Sequence, residues 1–291
     1  MIRVGILGTD SSHADVYLDL MNSPNAPYSE RARVVHMWGA EAPAKARYGA
    51  TAVDDLQRLL NDVDVAMVCG RWGEDHYELA KAAMTAGIPT FIDKPLTNSP
   101  AQAHELVALA ESADVPTFSC SPLRFCDEVI ELQRDLETIG TVAAGSCSGL
   151  AEWLAFGPRG DNVYFYGVHV VDVAHAVFGP GAQAVRVEQC GRNRTAVVRW
   201  NGQTVTLNLL SDCAEFCHVS CYGVGGWAQA AVDFEGSFYE RTLGFVLAMA
   251  ETGKPPIPLS HAVEVIDILA AIESSSATGE WTPVGGDVEC Q

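Results

Sequence analysis

Residues 3–13 have the sequence RVGILGTDSSH, and this stretch decides the fold prediction. It begins with a short apolar strand, Arg3–Leu7, which is followed by a glycine and then by Asp10 and Ser11, either of which can cap a helix. The helix is predicted over Ser12–Met21. A strand that turns through glycine into a helix is typical of the first unit of a parallel sheet covered by helices.

The same alternation of strand and helix continues to about residue 120. Further strands are predicted at Val34–Trp38, Val63–Cys69, Thr90–Ile92 and Pro116–Ser119. Between them, one helix carries an apolar stripe and ends at Gly87, and the next helix begins after Ser99. The stripe consists of Leu79, Ala82, Ala83 and Ala86. Residues 1–120 are therefore predicted to form an α/β dinucleotide-binding domain with a Rossmann-type, doubly wound parallel sheet.

The pattern changes from about Gly140 onward, where short alternating stretches indicate strands separated by turns such as Asn201-Gly202. Strands are predicted at Val185–Glu188, Thr195–Trp200, Thr204–Leu209 and His218–Tyr222. Two helices are predicted, at Val170–Phe178 and Ala262–Ser275. Residues 121–291 are therefore expected to form an α+β domain with an open, mostly antiparallel sheet, which binds the substrate and carries the subunit interface.

The charge balance excludes some classes of partner. The chain has 291 residues, and 18 Lys and Arg against 37 Asp and Glu give a net charge of −19. Nucleic acids and anionic membranes bind basic surfaces, so neither is expected as a partner. The first apolar stretch ends by Asp10 and is too short for a signal peptide. The nine cysteines are therefore expected to be reduced, which indicates a cytoplasmic protein.

Three of the cysteines, Cys213, Cys217 and Cys221, lie beside His218 and raise the question of a metal site. The segment is predicted to be a strand, in which four residues span about 13 Å. One ion cannot contact ligands that are so far apart, so no metal site is expected.

The turn after the first strand departs from the dinucleotide-binding pattern G-x-G-x-x-G, which would start at Gly8. Asp10 and His13 occupy the positions of the second and third glycine. A carboxylate at the second position repels a pyrophosphate by about 4 kcal/mol at roughly 4 Å and an effective dielectric constant near 20. The alternative is that Asp10 caps the helix and turns away. Glu41 is the acidic residue after the second strand, where a ribose would be held.

Two places offer groups for proton transfer. Lys94 follows Asp93 directly after a strand, where it can polarise a carbonyl or hold a hydroxyl, although such a lysine is often merely solvated. His169 and Asp172 are three residues apart on one face of a predicted helix. A neutral histidine there can shuttle a proton, whereas the alternative is a histidine that caps the helix.

Several motifs together resemble one family. Residues 71–96 read RWGEDHYELAKAAMTAGIPTFIDKPL, residues 121–125 read SPLRF, residues 167–172 read GVHVVD, and residues 262–280 read AVEVIDILAAIESSSATGE. In this order they resemble the Gfo/Idh/MocA oxidoreductases, the family of glucose–fructose oxidoreductase and inositol dehydrogenase. The family has Glu-Lys-Pro where this chain has Asp93-Lys94-Pro95.

The resemblance implies an NAD- or NADP-dependent oxidoreductase that acts on a sugar, a polyol or a related small hydroxy or keto compound. Lys94 would contact the nicotinamide and the substrate hydroxyl, His169 would be the general base or acid, and Asp172 would bind a substrate hydroxyl. The residues expected to bind the cofactor are Gly8, Thr9, Asp10, His13, Glu41, Cys69, Arg71, Trp72, His76, Asp93 and Lys94. The residues expected to bind the substrate are Arg124, Tyr164, Tyr166, His169 and Asp172.

Two further departures from the family pattern bear on these expectations. Phe165 stands where many members have an aspartate, which removes a second carboxylate from the proton path. Trp72 replaces a small residue, so its indole either fills part of the nicotinamide side of the cleft or packs in the core. The aromatic side chains Trp153, Phe156, Tyr164 and Tyr166 offer a platform for a sugar ring, or else belong to the core or a subunit interface.

The departures keep two other functions open. One is a redox-neutral lyase, hydratase or isomerase on the same scaffold, with the cofactor site lost and with Asp10 and His13 as catalytic groups. The other is a non-catalytic binding protein. A homodimer or homotetramer is expected, because the open sheet offers an apolar face for association. That face would be formed by Val187, Val197, Val205 and Leu207.

Overall fold

The computed structural model of the protein describes residues 1–152, 154–211 and 213–285, and the chain divides into two units. Unit 1 contains Met1–Cys120 and Tyr239–Ser260. Unit 2 contains Ser121–Phe238 and the chain from His261 onward. The return of Tyr239–Ser260 to unit 1 has no counterpart in the sequence-based prediction, which used one boundary near residue 120.

Unit 1 is built on a six-stranded sheet in the order β3-β2-β1-β4-β5-β6, and every neighbouring pair is parallel. The strands are β1 (Ile2–Leu7), β2 (Ala32–Trp38), β3 (Thr51–Val53), β4 (Val65–Val68), β5 (Thr90–Ile92) and β6 (Thr117–Ser119). The strand order reverses between β1 and β4, which creates the switch point where doubly wound sheets bind ligands. The predicted Rossmann-type fold is confirmed.

The helices in the first part of unit 1 connect these strands. They are α1 (Ser12–Asn22), α2 (Ala42–Lys45), α3 (Leu56–Leu60), α4 (Gly73–Thr85) and α5 (Pro100–Ala113). The cap of α1 is Ser11, whose side chain accepts the backbone N–H of Ala14 at 3.4 Å. Helix α4 ends before Gly87, as predicted, and this glycine has a φ of +75°.

The predicted apolar stripe of α4 was wrong in part. Its buried face contains Gly73, His76, Tyr77, Ala80, Ala83 and Met84, whereas Ala86 is exposed. The buried face differs from the predicted one because it includes the polar residue His76, whose ring bonds to two backbone carbonyls. A search for apolar residues does not find a buried residue of this kind.

Unit 2 is built on a seven-stranded sheet in the order β12-β11-β7-β10-β9-β8-β13. Its strands are β7 (Val142–Glu152), β8 (Ala182–Cys190), β9 (Asn193–Trp200), β10 (Gln203–Ser211), β11 (Cys217–Gly223), β12 (Gly226–Ala231) and β13 (Thr282–Pro283). Only the pair of β7 and β10 is parallel among the described strand pairs of this sheet. The predicted α+β class with a mostly antiparallel sheet is confirmed.

The remaining helices are α6 (Asp127–Ile139), α7 (Gly167–Phe178), α8 (Phe238–Thr252) and α9 (Leu259–Thr278), with short 3-10 helices at Pro122–Phe125 and Leu154–Gly160. Helix α7 contacts β7, β10 and β11 and covers one face of the sheet of unit 2. Helix α8 belongs to unit 1 from Tyr239 onward, and α9 belongs to unit 2 from His261 onward.

The apolar face that was expected to drive association is not an outer face. Val187, Val205 and Leu207 are buried within the chain. Val197 pairs with Thr206, and its neighbours along the strand are buried, so Val197 lies on the opposite face of the sheet. The four residues therefore do not form one surface.

The structure also bears on membranes and metals. None of the helices in the described ranges has the length and hydropathy that a membrane crossing requires. Cys217 and Cys221 are buried in β11, and Cys213 is exposed. Among the described residues, no three His, Cys, Asp or Glu side chains are grouped so that they can hold a metal ion.

Candidate functional site

The turn after β1 requires glycine at its first position. Gly8 has a φ of +84°, and a Cβ atom placed on it would lie 2.6 Å from the backbone nitrogen of Gly70. The turn therefore packs directly against the turn that follows β4. Next along the chain, the Thr9 hydroxyl is buried and has no hydrogen-bond partner. The backbone of this turn and the N-terminus of α1 are the parts of a Rossmann sheet that receive a pyrophosphate.

We expect Gly8→Ala to lower the free energy of unfolding by about 1–3 kcal/mol, because it adds a backbone clash to the strain of a positive φ. Gly87→Ala is the matched control, since Gly87 has a positive φ but nothing within 4 Å of its added Cβ. Urea unfolding measures both variants. Equal losses for the two variants would contradict the close packing of the turns.

Asp10 is held by the turn after β4 and does not cap α1. Its Oδ1 atom accepts the backbone N–H of Arg71 at 3.1 Å, and the Arg71 Nε atom donates to the Asp10 carbonyl at 2.8 Å. The alternative in which Asp10 caps the helix was therefore wrong, because Ser11 occupies that position. Asp10 and Arg71 are thus joined by two hydrogen bonds, each of which involves the backbone of one of the two residues. The close-packed backbone at Gly8 and the unpartnered Thr9 hydroxyl fit a dinucleotide, although Asp10 and His13 replace the other two glycines of the pattern.

Cys69 and His76 are buried and take part in hydrogen bonds that hold the turn after β4. The Ser11 hydroxyl donates to the Cys69 carbonyl, and the thiol of Cys69 is fully buried. Burial and the nearby Asp93 carboxylate raise the pKa of this thiol. The His76 ring is also fully buried, with Nδ1 2.7 Å from the Pro95 carbonyl and Nε2 2.8 Å from the Gly70 carbonyl. Because both side chains are buried, a contact of these residues with a cofactor, which stays a prediction, would be made by their backbone.

Trp72 and Glu41 each lie directly before a helix, Trp72 before α4 and Glu41 before α2. Trp72 is half-buried at the N-cap position of α4. Glu41 is exposed shortly after β2, and its carboxylate lies 3.2 Å from the Lys45 Nζ atom, which also contacts Asp15 at 2.8 Å. Glu41 is therefore in a position of the fold from which an acidic residue can reach a ribose.

Asp93 is a buried carboxylate of unit 1 whose two oxygens are both bonded. It follows β5, and only 1% of its surface is exposed. Its Oδ1 atom accepts the backbone N–H of Lys94 at 2.7 Å, and its Oδ2 atom lies 2.5 Å from His13 Nδ1. Burial alone would raise the pKa of this carboxyl, but His13 and Lys94 outweigh it and hold the pKa below its usual value. Lys94 itself is buried, with 8% of its surface exposed.

In unit 2, Asp172 and Arg124 pair with each other. The Arg124 Nη2 atom donates to Asp172 Oδ1 at 2.7 Å, and Asp172 is 1% exposed. The Oδ2 atom of Asp172 accepts the backbone N–H of Ser121 at 2.9 Å. Arg124 Nη2 also lies 3.2 Å from His175 Nδ1. Both oxygens of the Asp172 carboxylate are thus bound inside unit 2, and the expected contact of Asp172 and Arg124 with the substrate stays a prediction.

His169 is connected to this ion pair through one serine. The Ser121 Oγ atom lies 2.7 Å from His169 Nδ1, and the same serine is bound to Asp172 through its backbone. The ring of Tyr166 packs edge-on against the ring of His169, with their centroids 5.2 Å apart. His169 is half-buried. Ser121 therefore orients an imidazole that remains partly accessible.

The other expected aromatic residues have different environments. Tyr164 is half-buried, and its burial, with Glu273 and Asp267 nearby, raises the pKa of its hydroxyl. Phe165 is buried and packs against Tyr166, with their centroids 5.3 Å apart. Trp153 and the side chain of Phe156 lie outside the described residues.

Ser121 and Tyr239 were missed by the sequence-based prediction. Ser121 follows β6 closely, and a search of the positions after each strand could have found it. The Tyr239 hydroxyl lies 2.6 Å from His13 Nε2, although the two residues are 226 positions apart. No local pattern indicates that pairing.

Comparisons with known proteins agree with the fold. Residues 2–119 match the family GFO_IDH_MocA, described as an oxidoreductase family with an NAD-binding Rossmann fold. YhhX, an uncharacterized oxidoreductase of Escherichia coli strain K12, is 31% identical over 134 residues, which cover 43% of this chain and 39% of YhhX. The aligned region thus spans about two fifths of that relative.

Solved structures extend the similarity to the whole chain. A probable dehydrogenase from Thermotoga maritima has a TM-score of 0.82 at 17% identity, over 97% of this chain and 99% of its own. A myo-inositol dehydrogenase from Lactobacillus casei, in complex with NAD(H) and myo-inositol, has a TM-score of 0.81 at 16% identity, over 98% and 97% of the two chains. At these identities the likeness concerns the fold. Residues 2–119 are thus similar in sequence to the Gfo/Idh/MocA oxidoreductases, and the whole chain has the fold of the solved dehydrogenases.

Proposed function

We propose that the protein is an NAD(P)-dependent oxidoreductase that moves a hydride between a nicotinamide and a sugar, a polyol or a related small hydroxy or keto compound. The observation that carries the proposal is the Rossmann unit, in which the family match coincides with a parallel sheet that reverses at β1 and β4. The myo-inositol in the structurally similar dehydrogenase supports a polyol as the first substrate to test.

The residues that would hold the dinucleotide lie around two turns of unit 1. The backbone at Gly8 and Thr9 and the N-terminus of α1 would hold the pyrophosphate, and Arg71 would add a positive charge beside Asp10. Glu41 would bind the ribose, and Trp72 would line the nicotinamide side. When bound, the nicotinamide accepts or donates the hydride.

The protons would be handled by Lys94 and His169. During oxidation, the Lys94 ammonium would hold the oxygen of the substrate hydroxyl, and His169 would take the hydroxyl proton on Nε2 because Ser121 occupies Nδ1. During reduction, His169 would return the proton to the same oxygen. Tyr164 and Tyr166 would contact the body of the substrate through their rings.

Asp172 would act on this reaction through Ser121. The carboxylate holds the Ser121 backbone, and the Ser121 side chain holds the His169 ring. Asp172, Arg124 and Ser121 are therefore positioning residues in this proposal.

We expect Ser121→Ala to lower kcat about tenfold and to shift the limb of the pH–rate profile that belongs to His169, because the ring loses the partner of its Nδ1 atom. Steady-state kinetics across pH measure both effects. Ser148→Ala is the control, since Ser148 accepts a hydrogen bond from Asn208 on the sheet. A Ser121→Ala variant with a normal pH profile would show that Ser121 does not orient the histidine.

Cofactor binding is tested by titrating the protein with NADH and NADPH and recording the melting temperature and nicotinamide fluorescence. A ligand at 100 times its Kd stabilises the folded state by about 2.7 kcal/mol. We expect one of the two cofactors to raise the melting temperature and to be preferred over the other. If neither cofactor at millimolar concentration produces a shift, the redox proposal fails.

A redox-neutral lyase, hydratase or isomerase is the second candidate function, and one observation favours it. Asp10 and His13 stand at the positions of the second and third glycine of the dinucleotide-binding pattern, and His13 is hydrogen-bonded to Asp93. Replacing Asp10 and His13 by glycine separates the two functions. If turnover survives in this variant and the affinity for NADH rises, the redox-neutral candidate is wrong.

For assembly and location, we propose a homodimer or homotetramer in the reducing cytoplasm. Eight of the cysteines lie in the described part of the chain, and among the described residues none of these eight forms a disulfide. The outer face of the sheet in unit 2 is mixed rather than apolar, because Val197 shares it with Thr206. Light scattering of the purified protein measures the number of subunits.

A further inference from the structure

Three side chains of unit 1 form a continuous hydrogen-bonded chain. The Tyr239 hydroxyl lies 2.6 Å from His13 Nε2, and His13 Nδ1 lies 2.5 Å from Asp93 Oδ2. The residues come from three separate elements, α8, α1 and the end of β5. The rings of His13 and Tyr239 also pack edge-on, with their centroids 4.9 Å apart, so that packing as well as hydrogen bonding fixes the geometry.

The carboxylate determines which nitrogen of His13 carries the proton. Asp93 is buried, and its pKa lies below the usual value, so the carboxylate is ionised and can only accept a hydrogen bond. The Nδ1 atom of His13 must therefore donate to it. In the neutral ring, Nε2 then carries a lone pair and accepts the Tyr239 hydroxyl hydrogen. This is the order of an Asp-His-hydroxyl triad, with a phenol in place of a serine.

The surroundings favour an ionised Asp93 at one end of the hydrogen-bonded chain. The groups that face the chain are the Lys94 ammonium beside Asp93, the buried phenol of Tyr17 and the buried thiol of Cys69. The ring of Tyr17 lies 5.8 Å from that of Tyr239, and its hydroxyl is buried without a hydrogen-bond partner. Burial raises the pKa of both the Tyr17 hydroxyl and the Cys69 thiol, so neither competes with Asp93 for the proton of His13.

We propose that Asp93, His13 and Tyr239 form an acid–base triad in which Tyr239 exchanges a proton with a hydroxyl or an acidic C–H group of a small polar molecule. As the molecule transfers its proton to Tyr239 Oη, the original proton of Tyr239 moves to His13 Nε2. The resulting imidazolium is paired with the Asp93 carboxylate, and the reverse transfers restore both groups. The step is redox-neutral and requires neither a nicotinamide nor His169, so it goes beyond the proposed hydride transfer.

The first test is the tautomer of His13, measured by long-range ¹⁵N–¹H NMR of the whole protein. His13→Gln identifies the signals of His13 among the eight histidines. We expect the neutral ring to carry its proton on Nδ1. A neutral ring with its proton on Nε2 would overturn the triad.

The second test is the reactivity of the phenol toward phenylmethanesulfonyl fluoride, located by mass spectrometry. The S–F bond breaks as the bond between sulfur and Tyr239 Oη forms, fluoride leaves, and the phenol proton passes to His13 Nε2. Tyr222 is an internal control, because 49% of its surface is exposed on β11, whereas Tyr239 is only partly exposed. We expect Tyr239 to react at least about tenfold faster than Tyr222, and His13→Gln to remove this advantage.

Two outcomes would overturn the proposal: preferential labelling of Tyr222, or equal labelling of Tyr239 with and without His13. Tyr239→Phe, which keeps the ring and removes only the hydroxyl, must abolish the label at position 239. The circular dichroism spectrum and melting temperature of each variant show that it is folded. Because the reagent needs no cofactor, failure here leaves the NADH titration unaffected, and the two proposals can fail separately.

Discussion

Replacing His169 by Asn is expected to lower kcat for NAD(P)-dependent turnover of the best polyol substrate by about 10²–10⁴-fold. An asparagine side chain retains polarity and much of the volume but cannot take up the substrate proton, and a positioned acid or base contributes a factor of this size. The affinity for NADH is expected to stay within about twofold, because the residues proposed to hold the dinucleotide belong to unit 1. Steady-state kinetics and NADH fluorescence measure the two quantities.

The same substitution at another histidine of unit 2 provides the control. His218 lies on β11, where its ring contacts the side chain of Gln229 at 3.2 Å, and its replacement by Asn is expected to leave kcat unchanged. If His169→Asn and His218→Asn have the same small effect, His169 does not handle the proton. A loss of NADH affinity that parallels the loss of turnover would also argue against the assigned role.

Replacing Arg124 by Met is expected to lower the free energy of unfolding of the whole chain by about 3–5 kcal/mol. Asp172 is 1% exposed and depends on Arg124 for its counter-charge, with the two side chains in contact through several nitrogen–oxygen pairs. Removal of one partner from a buried ion pair leaves an uncompensated charge in a poorly solvated place. Urea unfolding followed by circular dichroism measures the loss.

Two further variants show whether the lost charge pairing is the cause. Arg186 is exposed on β8, so Arg186→Met is expected to change stability by less than about 0.5 kcal/mol. The double variant with Arg124→Met and Asp172→Leu removes both charges and is expected to recover most of the stability. A double variant that is less stable than Arg124→Met alone would show that packing, and not the stranded carboxylate, explains the loss.

The fold was predictable because its strongest signals are local. Val65–Val68 is buried on every residue, and a strand covered on both faces gives the uninterrupted apolar run that predicted it. The turn at Asn201 and Gly202 was also predictable, since both residues adopt positive φ angles between β9 and β10. By contrast, Thr51–Val53 has only three residues, too few for a periodic pattern, and it was missed.

The site was only partly predictable, because several of its residues act through contacts that are distant in sequence. Asp93 could be found, since polar residues that follow parallel strands collect at one edge of the sheet. Tyr239 could not be found, because nothing in its neighbourhood indicates a bond to a residue in the first helix. Asp172 was found as a motif residue, but its pairing with Arg124 inside unit 2 depends on tertiary packing.

The contacts of His76 also could not be predicted from the sequence. Its position before an alanine-rich helix suggested a contact with the cofactor, but both of its ring nitrogens bond to backbone carbonyls that lie 6 and 19 residues away. The sequence does not show that the loops containing Gly70 and Pro95 both pass beside the His76 ring. Burial of this kind becomes visible only when the loops have been placed.

The most direct test of the proposed chemistry is the absorbance at 340 nm when the protein is mixed with NAD⁺ or NADP⁺ and a panel of polyols and sugars that includes myo-inositol. Hydride transfer from a hydroxyl-bearing carbon must generate the reduced nicotinamide, and we therefore predict a substrate-dependent rise in absorbance that His169→Asn suppresses. Conversion of a panel compound, seen by mass spectrometry, without any change at 340 nm would contradict hydride transfer and favour redox-neutral chemistry.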